Sequence, residues 1–273
     1  MIQTTANGIE LYRFNNLSEY NEIEHFITSR NGGYSTGNYE GLNLGFHTGD
    51  LSDHVLKNRQ KLAETVGIPL QRFVFANQTH SSNVIVIGEE HCGMGATSIS
   101  TAIADTDALI TQKANICICV QAADCVPLLL FDPVQRVAAA VHAGWRGIVG
   151  GVVLNTIKKM SFSFACNPTD IVAGIGPANG VCCYEVGEDV VQCAQNLFDV
   201  QHGIILPSTK PDKYMFHQSQ AVKLQLLDAG LQAHNIEESY KCTQCMSQNF
   251  FSSRAGKGIT GRIAGGIMLK ETR

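Results

Sequence analysis

The sequence predicts an α/β fold built around a mixed sheet, on three observations. Short apolar runs rich in branched residues recur along the whole chain, helical spacings of apolar residues fall between some of them, and no proline- or serine-rich linker divides one group from another. With 273 residues, 44% of them hydrophobic and 16% charged, the chain can bury a substantial core. No repeat period interrupts it, so residues 1–273 read as a single domain.

The strand signals come in the order "HFITS" (25–29), "RFVFA" (72–76), "NVIVIG" (83–88), "DALIT" (107–111), "ICICVQ" (116–121), "VPLLLF" (126–131), "RVAAAVHAG" (136–144), "DIVAGIG" (170–176), "IEESY" (236–240) and "RIAGGIML" (262–269). Four helices are expected. The first covers 52–67, with Ser52 or Asp53 as N-cap and Gly67 as C-cap; the others cover 148–160, 185–198 and 217–230. Residues that carry chemistry cluster at strand ends, where α/β folds assemble their sites.

The opening "MIQTTANGIELYRF" lacks the basic start and apolar core of a signal peptide, and no stretch of about 18 apolar residues suggests a membrane span. A cytoplasmic location is expected. A net charge of −4 with scattered Lys and Arg residues offers nucleic acid no long-range attraction and favours a small-molecule ligand, with no membrane partner and a monomeric chain. The ten cysteines are expected to be free, buried or metal-bound rather than disulfide-linked. Cys117 and Cys119 alternate along a strand as core filling, and Cys92, Cys166 and Cys193 read the same way. His25, His54, His91, His202 and His234 read as hydrogen-bonded structural residues.

The run 122–147, "AADCVPLLLFDPVQRVAAAVHAGWRG", divides at "DPVQ" into two strands joined by a turn. If Asp132 pairs with Gln135, Cys125 stands directly opposite His142, with Cβ atoms roughly 4.5 to 5.5 Å apart. A proline in the turn leaves room for a bulge that shifts this register by one. His80, Cys125 and His142 each lie at a strand end beside small and polar residues. Two imidazoles and a thiolate suit Zn²⁺ or copper and do not suit Mg²⁺ or Ca²⁺, and three ligands leave a fourth position for water. Asp124, Asp105 and Asp107 are candidate hydrogen-bond acceptors behind the ligands or general bases; alternatively, Asp105 and Asp107 only cap the strand "ALIT".

The segments "SRNGGYS", "LNLGFHTGD", "NQTHSSNV", "DTDALIT", "ADCVPLLLFD", "VHAGWRG", "GIGPANGVCCYEVG" and "CTQCMSQNFFSSRAGKGITGR" occur in the order and spacing of one bacterial family. The chain resembles, from about residue 25 to 269, the family variously called multicopper polyphenol oxidoreductase (laccase-like), laccase-domain purine nucleoside phosphorylase and peptidoglycan editing factor. The resemblance implies metal ligands at His80, Cys125 and His142, a zinc requirement, and action on purine nucleosides: phosphorolysis of adenosine, inosine and methylthioadenosine, and deamination of adenosine. It also implies a layered α/β/β/α structure like the deamidase domain of cytotoxic necrotizing toxins. The sequence departs from the pattern at Asn179, which affects only the local loop.

Within that reading Cys125, His142 and Asp124 are the catalytic candidates. Phosphorolysis needs an anion site, for which Arg30, Arg59 and Arg146 are candidates. Asn43 and His47 are pocket candidates, and Phe250, Phe251 and Trp145 are candidates to stack on a purine. Three other functions compete. A four-copper oxidase is poorly served by nine histidines with no His-x-His unit, although copper at one site leaves weak phenol oxidation open. A metal-free hydrolase would have His142 deprotonate Cys125 to attack an amide, including a muropeptide precursor. A binding module would use "CTQC" (Cys242 to Cys245) as half of a zinc knot, for which no second CxxC exists.

Overall fold

The computed structural model describes residues 1–195, 197 and 203–271. Two six-stranded mixed sheets form its centre. The first runs β1 (Ile2–Ala6), β2 (Ile9–Arg13), β3 (Ile23–Thr28), β15 (Ile263–Leu269), β7 (Cys117–Ala122) and β4 (Phe73–Phe75), with only β4 and β7 parallel. The second runs β14 (Ile236–Glu238), β10 (Val172–Ile175), β8 (Val126–Asp132), β9 (Val137–Ala143), β6 (Ala108–Thr111) and β5 (Val84–Val86), with parallel pairs at both edges. A small antiparallel sheet joins β11 (Glu185–Val186), β13 (Tyr214–Phe216) and β12 (Ile205–Pro207).

Strand alternation sorts the apolar residues into layers. On β8 and β9, Val126, Leu128, Leu130, Val137, Ala139 and Val141 face a helical layer, while Leu129, Phe131, Ala138 and Ala140 meet Ile118 and Val120 of β7 between the sheets. That outer layer is made by α3 (Trp145–Val149), α4 (Val152–Phe164), α5 (Glu188–Gln195) and α6 (Gln218–Asp228). On the far side of the first sheet, Cys117 and Cys119 pack with Leu62 and Ala63 of α2 (Ser52–Val66). A short α1 (Asn15–Ser18) follows β2. Each fully buried Leu or Val contributes about 1.5–3 kcal/mol, which explains why this run folds as paired strands covered on both faces.

Several expectations need correction. The residue before α2 is Leu51, without a side-chain cap; Ser52 and Asp53 lie inside the first turn, while Gly67 closes the helix in the left-handed region at φ 69°. The helix expected over 148–160 is two helices, because Gly150 and Gly151 interrupt it and Gly151 takes φ 81°. Cys193 is exposed and is not core filling, while Cys92 is half-buried and packs at the edge of the inter-sheet core. The helix expected over 185–198 ends at Gln195 among the described residues; positions 196 and 198 of that span, and His202, lie outside them.

The hairpin register also differs. Val126 pairs with Ala143, Pro127 with His142 and Asp132 with Val137, so Cys125 is not opposite His142 and precedes β8. Asp132 Oδ1 accepts the N–H groups of Val134 (2.8 Å) and Gln135 (2.9 Å), and Arg136 adopts φ 53°, which closes a four-residue loop instead of a two-residue turn. The shift is two positions, and side chains alternate with period two, so both residues keep the face that looks between the sheets.

Candidate functional site

Asp107, immediately before β6, is 1% exposed and meets five donors. Its Oδ2 accepts from the N–H groups of Thr79 (3.2 Å) and Ser81 (2.7 Å) and from Ser81 Oγ (2.7 Å); its Oδ1 accepts from His80 N–H (3.1 Å) and bonds His142 Nδ1 (2.7 Å). One carboxylate therefore shapes the turn that holds His80 at φ 63° and fixes the His142 ring, leaving Nε2 of His142 free to face the site. Burial alone would raise the Asp107 pKa, but the bonds from His142 and Ser81 bring it down to about 2. Asp105 braces the same turn through Thr79 Oγ1 and Asn83 Nδ2. Gln78 ties it to β7 by exchanging hydrogen bonds of 2.7 Å with the backbone of Gln121.

Cys125 Sγ lies 3.6 Å from His80 Nε2, and the His80 and His142 rings meet edge to face with centroids 5.0 Å apart. One ligand atom from each of His80, Cys125 and His142 falls within 4.8 Å of the others. Gly144 leaves the space for this meeting: a Cβ there would stand 2.6 Å from His80 Cδ2 and 2.9 Å from Cys125 Sγ. Burial opposes the Cys125 thiolate, yet His142 and His80 outweigh it and lower the pKa to about 6. Burial likewise opposes charge on His142, where Cys125 and Asp107 raise the pKa to about 9.

This donor set fits a thiophilic metal ion. Two imidazole nitrogens and a depressed thiolate converge, one imidazole is oriented by a carboxylate behind it, and the glycine cradle keeps the centre open.

The cluster lies in a cavity of about 520 Å³, whose lining includes His47, Asp124, Trp145 and Arg146 of the residues singled out in the sequence. Burial, helped by Arg262, lowers the His47 pKa to about 4 and keeps this ring neutral. Asp124, at φ 88°, accepts from Thr243 Oγ1 (2.6 Å) and Arg254 N–H (2.6 Å) through its two carboxylate oxygens. Its backbone carbonyl accepts from Asn179 N–H (2.8 Å) and Gln218 Nε2 (2.6 Å). Asp124 is thus a clamp that orients Cys125, and its oxygens are already engaged for any role as a base.

Five other expectations do not reach the cavity. Arg30 donates to the carbonyls of Ser247 and Glu40 and stacks on Phe251. Arg59 is 2% exposed, bonds the carbonyls of Leu44, Gly95 and Ala96, and lies between the rings of Phe46 and Phe75. Asn43 is wholly buried and holds Thr48, Asp50, Gly45 and Arg262. Phe250, like Phe251, is fully buried between the sheets. Burial, invisible in a lone residue, commits Arg59, Asn43 and the two phenylalanines to the fold, while the half-buried Arg30 is held by its carbonyl partners and the Phe251 ring. The cavity instead brings in Tyr184, Arg254, Lys257 and Arg262, which the sequence reading did not single out. A signal existed: "SSRAGKGITGR" (252–262) is a glycine-rich, cation-bearing loop directly before β15.

A family model described as multi-copper polyphenol oxidoreductase laccase matches residues 24–270. A purine nucleoside phosphorylase of Bacteroides thetaiotaomicron is 35% identical over 94% of this chain and 95% of its own. The adenosine deaminase RL5, from an unknown prokaryotic organism, is 33% identical over 96% of this chain and 100% of its own. The crystal structure of YlmD from Geobacillus stearothermophilus superposes with a TM-score of 0.93 at 33% identity, covering 98% of each chain.

Proposed function

The chain belongs to the multi-copper polyphenol oxidoreductase laccase family, and from that premise we propose that it is a zinc-dependent purine nucleoside enzyme, cleaving adenosine, inosine and methylthioadenosine with phosphate and deaminating adenosine. The observation that carries the proposal is the meeting of His80, Cys125 and His142 in a cavity that Arg146, Arg254, Lys257 and Arg262 also line. His80 and His142, through ring nitrogens, and Cys125, through its thiolate, would hold the ion. When bound, Zn²⁺ supplies Lewis-acid polarisation of an oxygen or carbonyl at neutral pH.

The residues around it account for the rest. A cavity of this volume lies in the range that encloses nucleoside-sized ligands. Trp145 and Tyr184 offer aromatic surface to a purine, and each already carries an arginine against its ring: Arg146 at 4.3 Å and Arg254 at 5.3 Å from the centroid. Those guanidiniums, with Lys257 and Arg262, provide the positive charge that a phosphate dianion requires. Neutral His47 can donate or accept a hydrogen bond without adding charge.

The family's name suggests copper oxidase chemistry, but among the described residues the only clusters of three or more metal-ligating side chains are this one and a group of four cysteines. Neither supplies the several paired histidines of a multicopper centre. A second reading rests on the Cys125–His142–Asp107 relay, which has the order of groups found in thiol hydrolases. Anaerobic incubation with adenosine and phosphate, with products resolved as adenine, inosine and hypoxanthine beside metal analysis, separates the readings. Adenine or inosine scaling with zinc content is expected; turnover of an amide with no action on adenosine would replace the proposal by the thiol hydrolase.

A further inference from the structure

The half-motif "CTQC" lacks a second CxxC in the sequence, yet the fold completes it differently. β10 and β14 are parallel neighbours, and the chain beyond them stays paired through a bridge between Ala178 and Cys242. The adjacent Cys182 and Cys183 therefore come down beside Cys242 and Cys245, some sixty residues later. Cys245 Sγ lies 3.5 Å from Cys182 Sγ and 3.4 Å from Cys183 Sγ, and all four sulfurs fall within 4.8 Å of one another.

The geometry points to a second metal site: Cys182, Cys183, Cys242 and Cys245 form a tetrathiolate centre for one zinc ion, separate from the His80/Cys125/His142 cluster. A tetrahedron with Zn–S bonds of about 2.3 Å places its sulfurs about 3.8 Å apart, within the span observed. The backbone is arranged as such a site requires. Gly180 N–H (3.3 Å) and Cys245 N–H (3.5 Å) both point at Cys242 Sγ, and so would stabilise a thiolate there. Gly180 lets the two loops close: a Cβ would stand 3.1 Å from Cys242 Cβ and 3.3 Å from Cys182 Sγ.

The centre has a structural task. One loop it joins carries Asn179, which donates to the Asp124 carbonyl, and Tyr184 of the cavity lining; the other carries Thr243, which donates to Asp124 Oδ1. A closed four-sulfur site with no open position braces the clamp that orients Cys125, and takes no substrate itself.

The test measures zinc per chain and zinc X-ray absorption on full-length protein expressed with zinc. Wild type is expected to hold about two equivalents. His80→Ala should keep about one, with an all-sulfur shell near 2.3 Å; Cys245→Ser should lose that equivalent and melt at lower temperature. If Cys245→Ser does not fold, the absorption spectrum of His80→Ala and alkylation of wild type still decide: zinc should protect Cys182 and Cys245, and a chelator should expose them. A wild-type and a His80→Ala protein that each hold one all-sulfur zinc would support this centre while overturning the first. No sulfur-only zinc in His80→Ala, zinc-independent alkylation, or disulfides among these cysteines in freshly prepared protein would overturn it.

Discussion

Replacing Asp107 by asparagine keeps the shape of the side chain and removes one acceptor oxygen and the charge. Whichever way the amide is turned, its NH₂ meets donors: either those of His142 and His80, or those of Thr79 and Ser81. Two or three buried donors lose their partner, each at about 1–3 kcal/mol, so a total loss of about 3–5 kcal/mol in folding stability is expected. The His142 ring loses its orienting carboxylate, and zinc affinity should fall about 10- to 100-fold. Chelator competition and denaturant unfolding at pH 7 read the two effects. Asp105→Asn, at the exposed side of the same turn, should cost less than about 1 kcal/mol. The carboxylate also sets a pH response. Its folded pKa of about 2 lies below the ordinary aspartate value near 3.8, so its contribution of about 2 kcal/mol is fully present above pH 4 and is lost as the pH falls towards 2. An Asp107→Asn protein with wild-type zinc affinity and stability would refute the role assigned to this residue.

Gly144→Ala, at an ordinary backbone angle, should fold normally but push His80 and Cys125 apart, cutting turnover about 100-fold; unchanged turnover would show that the cradle is looser than its distances imply. Acidification through about pH 6 should release metal from the His80/Cys125/His142 cluster, because protons then compete for a thiolate that is stable above that pH; retention at pH 4 would contradict it. Arg146→Ala and Arg262→Ala should impair phosphorolysis more than deamination, since only phosphorolysis needs the anion, and equal losses would assign them to the purine. Arg59→Ala should act differently, lowering stability by about 2 kcal/mol or more through the orphaned carbonyls of Gly95 and Ala96, that of Leu44 keeping Gln121 Nε2, while leaving the KM for phosphate unchanged in the folded fraction.

The ten strand runs named in the sequence coincide with β3 to β10, β14 and β15; in β6 to β10 apolar residues buried on both faces leave an unmistakable pattern, whereas the edge strands β5 and β14 are only half-buried. β1 and β2 lie outside these runs, although Asn7 and Gly8, at φ 52° and 70°, mark the turn between them. β1 is exposed throughout and its alternation is weak. The neighbourhood of Cys125 and His142 was legible and its register was not, since the Asp132 side chain rebuilt the turn. His80 was singled out by position, but the carboxylate that unites it with His142 is Asp107, whose alternative reading as a strand cap was equally compatible with the sequence. Arg30, Arg59 and Phe250 show the opposite failure: residue type suggested ligand binding, and only the folded contacts reveal that backbone carbonyls hold the two arginines and the inter-sheet core holds the phenylalanine. Among the described residues no helix is long and apolar enough to cross a bilayer.

The most direct measurement is adenosine turnover by His80→Ala protein with and without added zinc, with alkylation of Cys125 followed in parallel. His80 is exposed and touches Cys125 through Nε2, so its loss removes one of the three proposed ligands without opening the core. Loss of turnover together with one zinc equivalent, a more alkylatable Cys125 and partial rescue by excess zinc are expected. Full turnover of adenosine without metal at this cluster would contradict the zinc enzyme and leave the Cys125–His142–Asp107 relay as the working chemistry.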